Sequence, residues 1–331
     1  MIYYFIIYSI LSFITLYVVT ITSYRLDLLD IPDERKIHLK STAYTGGIAL
    51  SIIYLFSLEL FWVKSGTLNI ILSIGFLMAV TGFIDDKYKL NPGGKLSLQI
   101  IPIFYLAVIE SISLSHIGDY NFFKLELNTF AIPFTLFSIL FLINAFNYFD
   151  GIDGTLGCST ISVIFILYFL TPGEDYRLFL TIILIPLLIF LCFNFSLFGL
   201  PRLFLGDSGS LLLGFIISFY LIYLTNSSGV HPILIAWSVS IFVYEFLSIN
   251  LIRLKNKKDP FKAGLDHLHH LIFKKTNSIF LTNFLIFTNN VIFFIFGYLS
   301  FMLINPITSF ILFIFLFIFY TNFRIKLARN F

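Results

Sequence analysis

The sequence predicts an all-α, polytopic membrane protein with about 11 transmembrane helices, ten or eleven in all. Three observations predict it. Hydrophobic residues make up 58% of the 331 residues and charged residues 12%, where soluble domains carry roughly 45–50% and 25%. The apolar residues, 43 Phe among them, gather in runs long enough to cross a bilayer. The basic residues fall almost entirely on one side of those runs. A soluble globule cannot hide so much apolar surface, and a disordered chain does not contain it.

A spanning helix needs about 20 mostly apolar residues. Eleven segments qualify: 2–23, 45–63, 68–84, 96–114, 129–146, 156–172, 177–198, 210–225, 232–252, 279–299 and 306–323. The third and sixth are short, and the second and third lie close together. The start, Met1-Ile2-Tyr3-Tyr4-Phe5, lacks a basic n-region and reads as an uncleaved first span. Gly118-Asp119-Tyr120-Asn121, within 115–128, predicts a small hairpin at the membrane surface. The polar loop 253–278 predicts a short helix around Leu265–Phe273. Cys158 and Cys192 lie in separate apolar runs and read as packing thiols, not a disulfide or metal pair. No internal repeat or low-complexity linker divides residues 1–331, which read as a single transmembrane domain.

Orientation follows from charge. With the N-terminus outside, the cytoplasmic loops and the C-terminal tail carry 18 Lys and Arg, and the outside loops only Lys64, Lys124 and Arg177. This bias puts the N-terminus outside and the C-terminus in the cytoplasm. It also accounts for the net charge of +3 without nucleic-acid binding.

The acidic residues are equally uneven. Asp85-Asp86 end the third span. Asp150 and Asp153 follow the fifth, in Asn144-Ala145-Phe146-Asn147-Tyr148-Phe149-Asp150-Gly151-Ile152-Asp153-Gly154. Asp207 follows the seventh, in Phe204-Leu205-Gly206-Asp207-Ser208-Gly209-Ser210. All three groups fall on the predicted cytoplasmic side, at helix ends. Carboxylates so near apolar spans are costly unless paired, hydrated or bound to a cation. One such group serves as a helix cap as readily as a ligand. Together, with asparagines and glycines, they point to a hard-cation site. Mg²⁺ suits it, being held by one or two carboxylates plus substrate phosphates.

His267-Leu268-His269-His270 sits in the most basic loop. The spacing differs from the i, i+4 pair of a helical zinc site. It suits an anionic, hydrogen-bonding ligand such as a phosphate or sugar, with a purely topological basic loop as the bland alternative. In the first cytoplasmic loop, Lys36 and His38 are candidate phosphate contacts and Gly46-Gly47 a close approach to a ligand. Alone, that loop reads as an ordinary charged loop. Glu59, Glu110 and Glu245 lie within spans, where a carboxylate is a functional candidate, Glu245 foremost because its span leads into the basic loop.

The ordered set Asp85-Asp86, NAFNYFDGIDG at 144–154, FLGDSGS at 204–210 and HLHH at 267–270 resembles the polyprenyl-phosphate N-acetylhexosamine-1-phosphate transferases, glycosyltransferase family 4. It covers about residues 30–275. HLHH resembles the WecA/TagO-type enzymes, which use UDP-GlcNAc, rather than the MraY-type with their continuous HHH. The chain departs from family patterns at Lys89, at Thr42-Ala43-Tyr44, at Glu245 and at Gly264-Leu265-Asp266.

The resemblance implies a Mg²⁺-dependent enzyme, with Mn²⁺ an alternative ion, in the bacterial inner membrane with a cytoplasmic active site. It would move N-acetylhexosamine 1-phosphate, GlcNAc first among the candidates, from a UDP-sugar to undecaprenyl phosphate and release UMP. Its partners would be those two substrates and the bilayer, and a homodimer is compatible with it. Asp85, Asp86 and Asp207 would be catalytic, with Asp207 and Asp86 on the metal and Asp85 or Asp86 as base beside the lipid phosphate. Asn144, Asn147, Asp150 and Asp153 would shape the nucleotide pocket. Arg253, His267, His269 and His270, in the substrate-binding loop 253–278, would hold the sugar or diphosphate, and Lys36 and Lys95 phosphate. The competing readings are a phospho-MurNAc-pentapeptide transferase, a transporter and a non-catalytic scaffold. A transporter's polar residues would lie near the membrane midplane rather than at one face.

Overall fold

Ten of the eleven apolar segments each coincide with one helix, and the segment 232–252 is a broken pair. A computed structural model describes residues 2–32, 40–257, 259, 264 and 266–329. The helices are α1 (Ile2–Arg25), α2 (Gly46–Phe61), α3 (Gly66–Tyr88), α4 (Pro92–Phe104, with a π-helical turn at Tyr105–Ile109), α5 (Ala131–Asn147), α6 (Thr155–Leu170), α7 (Glu174–Asn194), α8 (Gly206–Ser228), α9 (Pro232–Ser238), α10 (Ser240–Lys255), α11 (Leu268–Thr276), α12 (Ile279–Leu303) and α13 (Pro306–Arg329).

Among the described residues, eight helices are long and apolar enough to cross a membrane alone, or nine if α9 and α10, bent by 74° from one another, count as one span. This falls short of the ten or eleven expected. The remaining two, α2 and α6, have 16 residues each, about 24 Å of helix against a hydrocarbon core of roughly 30 Å. The third segment is not short. It runs 23 residues because Ser65 caps its first turn and Lys89, in a left-handed conformation, ends it beyond Asp85-Asp86. The short neighbour is the second.

The chain divides into two compact units, each discontinuous in sequence: Met1–Ile112 with Pro172–Tyr220, and Ser113–Thr171 with Leu221–Phe331.

In the first unit α2 packs against α1, α3 and α7, and α3 against α4. A two-residue ribbon, β1 (Leu29–Asp30) with β2 (Thr42–Ala43), follows α1. Ala43 bridges in parallel to Leu203. The pairing continues into the helix starts: Phe204 N–H donates to Ala43 O (2.7 Å), Gly46 N–H to Phe204 O (3.0 Å) and Gly47 N–H to Leu205 O (2.9 Å). The beginnings of α2 and α8 are thus laced together by backbone. Glycine permits it: a Cβ on Gly47 would lie 2.0 Å from Gly209 N.

In the second unit α12 is the hub, packed against α6, α9, α10, α11 and α13. The break at Val239 frees backbone groups that apolar surroundings cannot satisfy. Asn290 on α12 takes them up. Its Oδ1 accepts from Ile241 N–H (3.2 Å) and Ser240 Oγ (3.3 Å), and its Nδ2 donates to Ser238 O (3.0 Å) and Ser162 Oγ (2.9 Å). The expected hairpin is present as β3 (His116–Asp119) with β4 (Lys124–Glu126). His231 ties it to the start of α9, with Nδ1 accepting from Ile233 N–H (3.2 Å) and Nε2 donating to Asp119 O (2.9 Å). Cys158 and Cys192 are free thiols.

Asn290→Leu fills similar volume but orphans these groups, at about 1–3 kcal/mol each. The detergent-solubilised variant should melt several degrees below wild type in a thermal-shift measurement. An unchanged melting temperature would remove Asn290 from this role.

Candidate functional site

The first cluster lies in the first unit. Asp85 and Asp86 occupy the last turn of α3, Lys95 the first turn of α4 and Asp207 the first turn of α8. The α3–α4 corner is set by its own sequence. Lys89 N–H donates to Asp85 O (2.8 Å) and Leu90 N–H to Asp85 Oδ1 (3.0 Å). Asn91 then caps α4, with Pro92 in its first turn. This brings Lys95 back onto Asp85, with Nζ 2.7 Å from Asp85 Oδ2 and 2.5 Å from Asp207 Oδ2.

Asp86 holds the other side. Its Oδ1 accepts from Asp207 N–H (3.1 Å) and its Oδ2 from Ser208 N–H (3.3 Å). A carboxylate from α3 therefore caps α8, where the helix dipole favours negative charge. Gly206 precedes the cap at φ +71°, and a Cβ there would lie 2.7 Å from Asp86 Oδ2 and 2.3 Å from Tyr44 O. Only glycine fits both demands. Gly82, one turn before Asp86, approaches as closely: a Cβ would sit 2.4 Å from the Asp207 carbonyl.

The second cluster lies in the second unit. α11 begins at Leu268, so His267 precedes it and His269 and His270 stand in its first turn. His267 and His269 stack with ring centroids 5.7 Å apart, and His269 and His270 are 4.3 Å apart. The 144–154 segment packs against them: Tyr148 meets His267 edge-on at 4.8 Å, and a Cβ on Gly151 would sit 2.3 Å from His269 Nε2. That segment is fixed from α12, where Asn283 accepts from Thr155 Oγ1 (2.9 Å) and donates to Asp153 O (2.8 Å).

His269 is 1% exposed. Among the described residues, both its ring nitrogens and Nδ1 of His267 are buried without a hydrogen-bond partner. An orphaned buried donor or acceptor is costly, and marks a place where a ligand or water completes the set. Burial lowers the affinity of all three rings for a proton, to about 3 for His267, to about 4 for His270, and well below the ordinary value for His269. They are neutral at pH 7, each with one donor and one acceptor nitrogen. Arg253 grips Asp266 in a two-pronged pair, Nη2–Oδ1 2.7 Å and Nε–Oδ2 3.2 Å. Burial works against ionisation of Asp266, yet Arg253 outweighs it and holds the carboxyl below the usual carboxylate range.

The structure thus brings Asp85, Asp86, Lys95 and Asp207 together in one unit. In the other it brings Tyr148 and Gly151 onto the histidines and Arg253 onto the neighbouring Asp266. Asn144 donates to Leu140 O of its own helix (2.7 Å), and Asn147, Asp150 and Asp153 also have partners. Lys36 and His38 lie outside the described residues.

Sequence reasoning missed three residues. Arg324, assigned to a cytoplasmic tail, is buried in α13 on Glu245. The signal was an intramembrane carboxylate needing a cation. Asn283 and Asn290, seven residues apart on one face of an apolar helix, were legible as a polar stripe.

Comparison with known proteins adds an independent line. The family model described as glycosyl transferase family 4 matches residues 68–225. The chain is 28% identical over 269 residues to the undecaprenyl-phosphate alpha-N-acetylglucosaminyl 1-phosphate transferase of Haemophilus influenzae, covering 79% of this chain and 76% of that one. Proteins of the same name from Yersinia pestis and Escherichia coli K12 are each 25% identical. They cover 78% and 76% of this chain, and 73% and 70% of their own lengths.

A pH dependence follows from the histidines. Their proton affinities are depressed in the folded state, so the unfolded chain takes up protons first, from about pH 6.5 downward. Their contribution to stability is complete above that pH and is lost as pH falls toward 3–4. Melting temperature should drop between pH 7 and 5, and drop less in a His267→Gln/His269→Gln/His270→Gln variant. Parallel pH curves would contradict this.

Proposed function

We propose, from the glycosyl transferase family 4 model that matches residues 68–225 and from the relatives named above, that the chain is a member of that family and transfers N-acetylglucosamine 1-phosphate from UDP-GlcNAc to undecaprenyl phosphate, releasing UMP. The setting would be the cytoplasmic face of a bacterial inner membrane, at the first membrane step of cell-envelope glycan synthesis. The observation that carries this reading is the carboxylate pair sharing one cation: Asp85 and Asp207 both bind Lys95 Nζ, at 2.7 and 2.5 Å.

In the reaction an oxygen of the lipid phosphate attacks the β-phosphorus of the donor. A new P–O–P link forms, the old one breaks, and UMP leaves with the bonding pair. The demand on the protein is positioning and neutralisation of charge. An ammonium has three donors. Two of those on Lys95 go to Asp85 and Asp207, which leaves one for a lipid-phosphate oxygen. Asp85 stands beside it as proton acceptor. Little is asked of that base, because a phosphate monoester's second pKa is about 6.

The donor set fits Mg²⁺. It consists of hard carboxylate oxygens that already converge on a positive charge. Among the described residues no group of three or more His, Cys, Asp or Glu forms a ready-made metal cage. This accords with an ion held by one or two carboxylates, water and substrate phosphate. Asp207 would hold it. Asp86, with both oxygens on the amides of Asp207 and Ser208, fixes Asp207 and stands as a second carboxylate for the ion. When bound, Mg²⁺ supplies neutralisation of the diphosphate charge. The neutral imidazoles of His267, His269 and His270 offer donor and acceptor nitrogens to the hydroxyls and diphosphate of the donor. Asn147, Asp150 and Asp153 would contribute to the nucleotide pocket.

The direct test gives purified protein undecaprenyl phosphate, Mg²⁺ and, separately, UDP-GlcNAc, UDP-GalNAc or UDP-MurNAc-pentapeptide. Mg²⁺-dependent UMP release from UDP-GlcNAc is expected, and preference for another donor would reassign the substrate. Asp207→Asn should cost about 100-fold or more in kcat while melting close to wild type. Near-normal turnover would remove Asp207 from the metal role. His269→Ala should raise KM for UDP-GlcNAc, and unchanged kinetics would return the histidine loop to a topological role.

A further inference from the structure

Along most of its length α13 presents apolar side chains outward, with Ile311, Phe315 and Phe319 59–63% exposed. Arg324 breaks the pattern at 2% exposure. Its Nε donates to Glu245 Oε2 (2.8 Å) and its Nη2 to Glu245 Oε1 (3.1 Å), and the same Nη2 donates to the carbonyl of Asp266. Tyr320, one turn earlier, donates to Glu245 Oε2 (2.8 Å). Glu245, from α10, has no solvent exposure, and its Oε1 also accepts from Leu268 N–H (2.9 Å). Each carboxylate oxygen therefore has two donors.

Two of the groups tied to this pair, the Asp266 carbonyl and the Leu268 amide, flank His267. On the same α10, Arg253 takes the Asp266 side chain. The backbone on either side of His267 is thus anchored to one buried ion pair, and the first turn of α11, with His269 and His270, follows from it. Stability alone is a weak reason for such a pair, because apolar replacements of similar volume are often neutral or stabilising. Geometry is the stronger reason. A planar guanidinium fork spans two carboxylate oxygens and a carbonyl at fixed angles, which no apolar side chain does.

We propose that Glu245 and Arg324, with Tyr320, are positioning residues that hold segment 266–270 in register for the UDP-sugar. The C-terminal helix then belongs to the catalytic apparatus although it lies outside the motif-bearing part of the chain. The proposal rests on the transferase reading for its kinetic arm and on the structure alone for its chemical arm.

The test compares wild type with Arg324→Lys and with the double variant Glu245→Gln/Arg324→Met, which removes both charges and leaves no lone buried ion. The chemical arm reads diethylpyrocarbonate labelling of each histidine by peptide mass spectrometry. His267, His269 and His270 are protected in wild type, at 1–8% exposure. In the double variant they should label at least tenfold faster, while His231, in the same unit and bound to Asp119, keeps its wild-type rate. Unchanged labelling of the three, or an equal rise at His231, would overturn local positioning.

In the kinetic arm KM for UDP-GlcNAc should rise about tenfold or more, since small displacements of a positioned group cost up to about 100-fold. KM for undecaprenyl phosphate should stay near wild type, and Arg324→Lys should fall between. Equal changes in both KM values would make the pair a general brace and defeat the proposal. If wild type releases UMP from no donor, the transferase reading fails on its own, and the labelling still decides the positioning.

Discussion

A carboxylate drawn into an apolar bundle must be met there by a cation or by N–H groups, and the organisation of this chain depends on that constraint. An unmet charge in low dielectric costs several kcal/mol. Glu245 meets Arg324, Asp85 and Asp207 meet Lys95, and Asp86 meets the amides that open α8. Apart from Asp85 with Lys95, which closes the α3–α4 corner, each pairing joins segments far apart in sequence. The helices of each unit are therefore registered against one another by electrostatics at a few points, and by close packing elsewhere.

The two clusters use opposite devices. In the first unit ionised groups share a positive charge, with the Lys95 and Asp207 side chains partly exposed. In the second unit the histidines are kept neutral by burial and carry nitrogens with no partner among the described residues. A polar network completed from within rigidifies. One left incomplete is poised to take a ligand at little cost in new desolvation. This difference separates a structural network such as that of Asn290 from the histidine segment.

Much of the molecule was legible in the sequence. Apolar runs located every helix except α11, because a bilayer imposes length and composition directly. The motif residues at 85–86, 207 and 267–270 stood out by residue type and position, and the structure gathers them into two clusters. The number of full spans was not legible, because hydropathy does not report the 74° break at Val239 or the shortness of α2 and α6. Neither was the role of Arg324, since a basic residue just beyond an apolar run reads as a topological flag until its partner on another helix is seen. Lys95 was read as a phosphate contact, and the structure adds that it holds two carboxylates together. Partnerships across a bundle are tertiary facts, and a linear pattern shows only one half of each.

The broken helix has a consequence for biosynthesis. Asn290, which supplies hydrogen bonds to both sides of the break, is made some fifty residues after it and arrives with a later membrane segment. Until then the exposed amide of Ile241 and carbonyl of Ser238 have no such partner in lipid. Without α12 beside it, the bent form of this segment lacks the hydrogen bonds that Asn290 gives it in the folded chain.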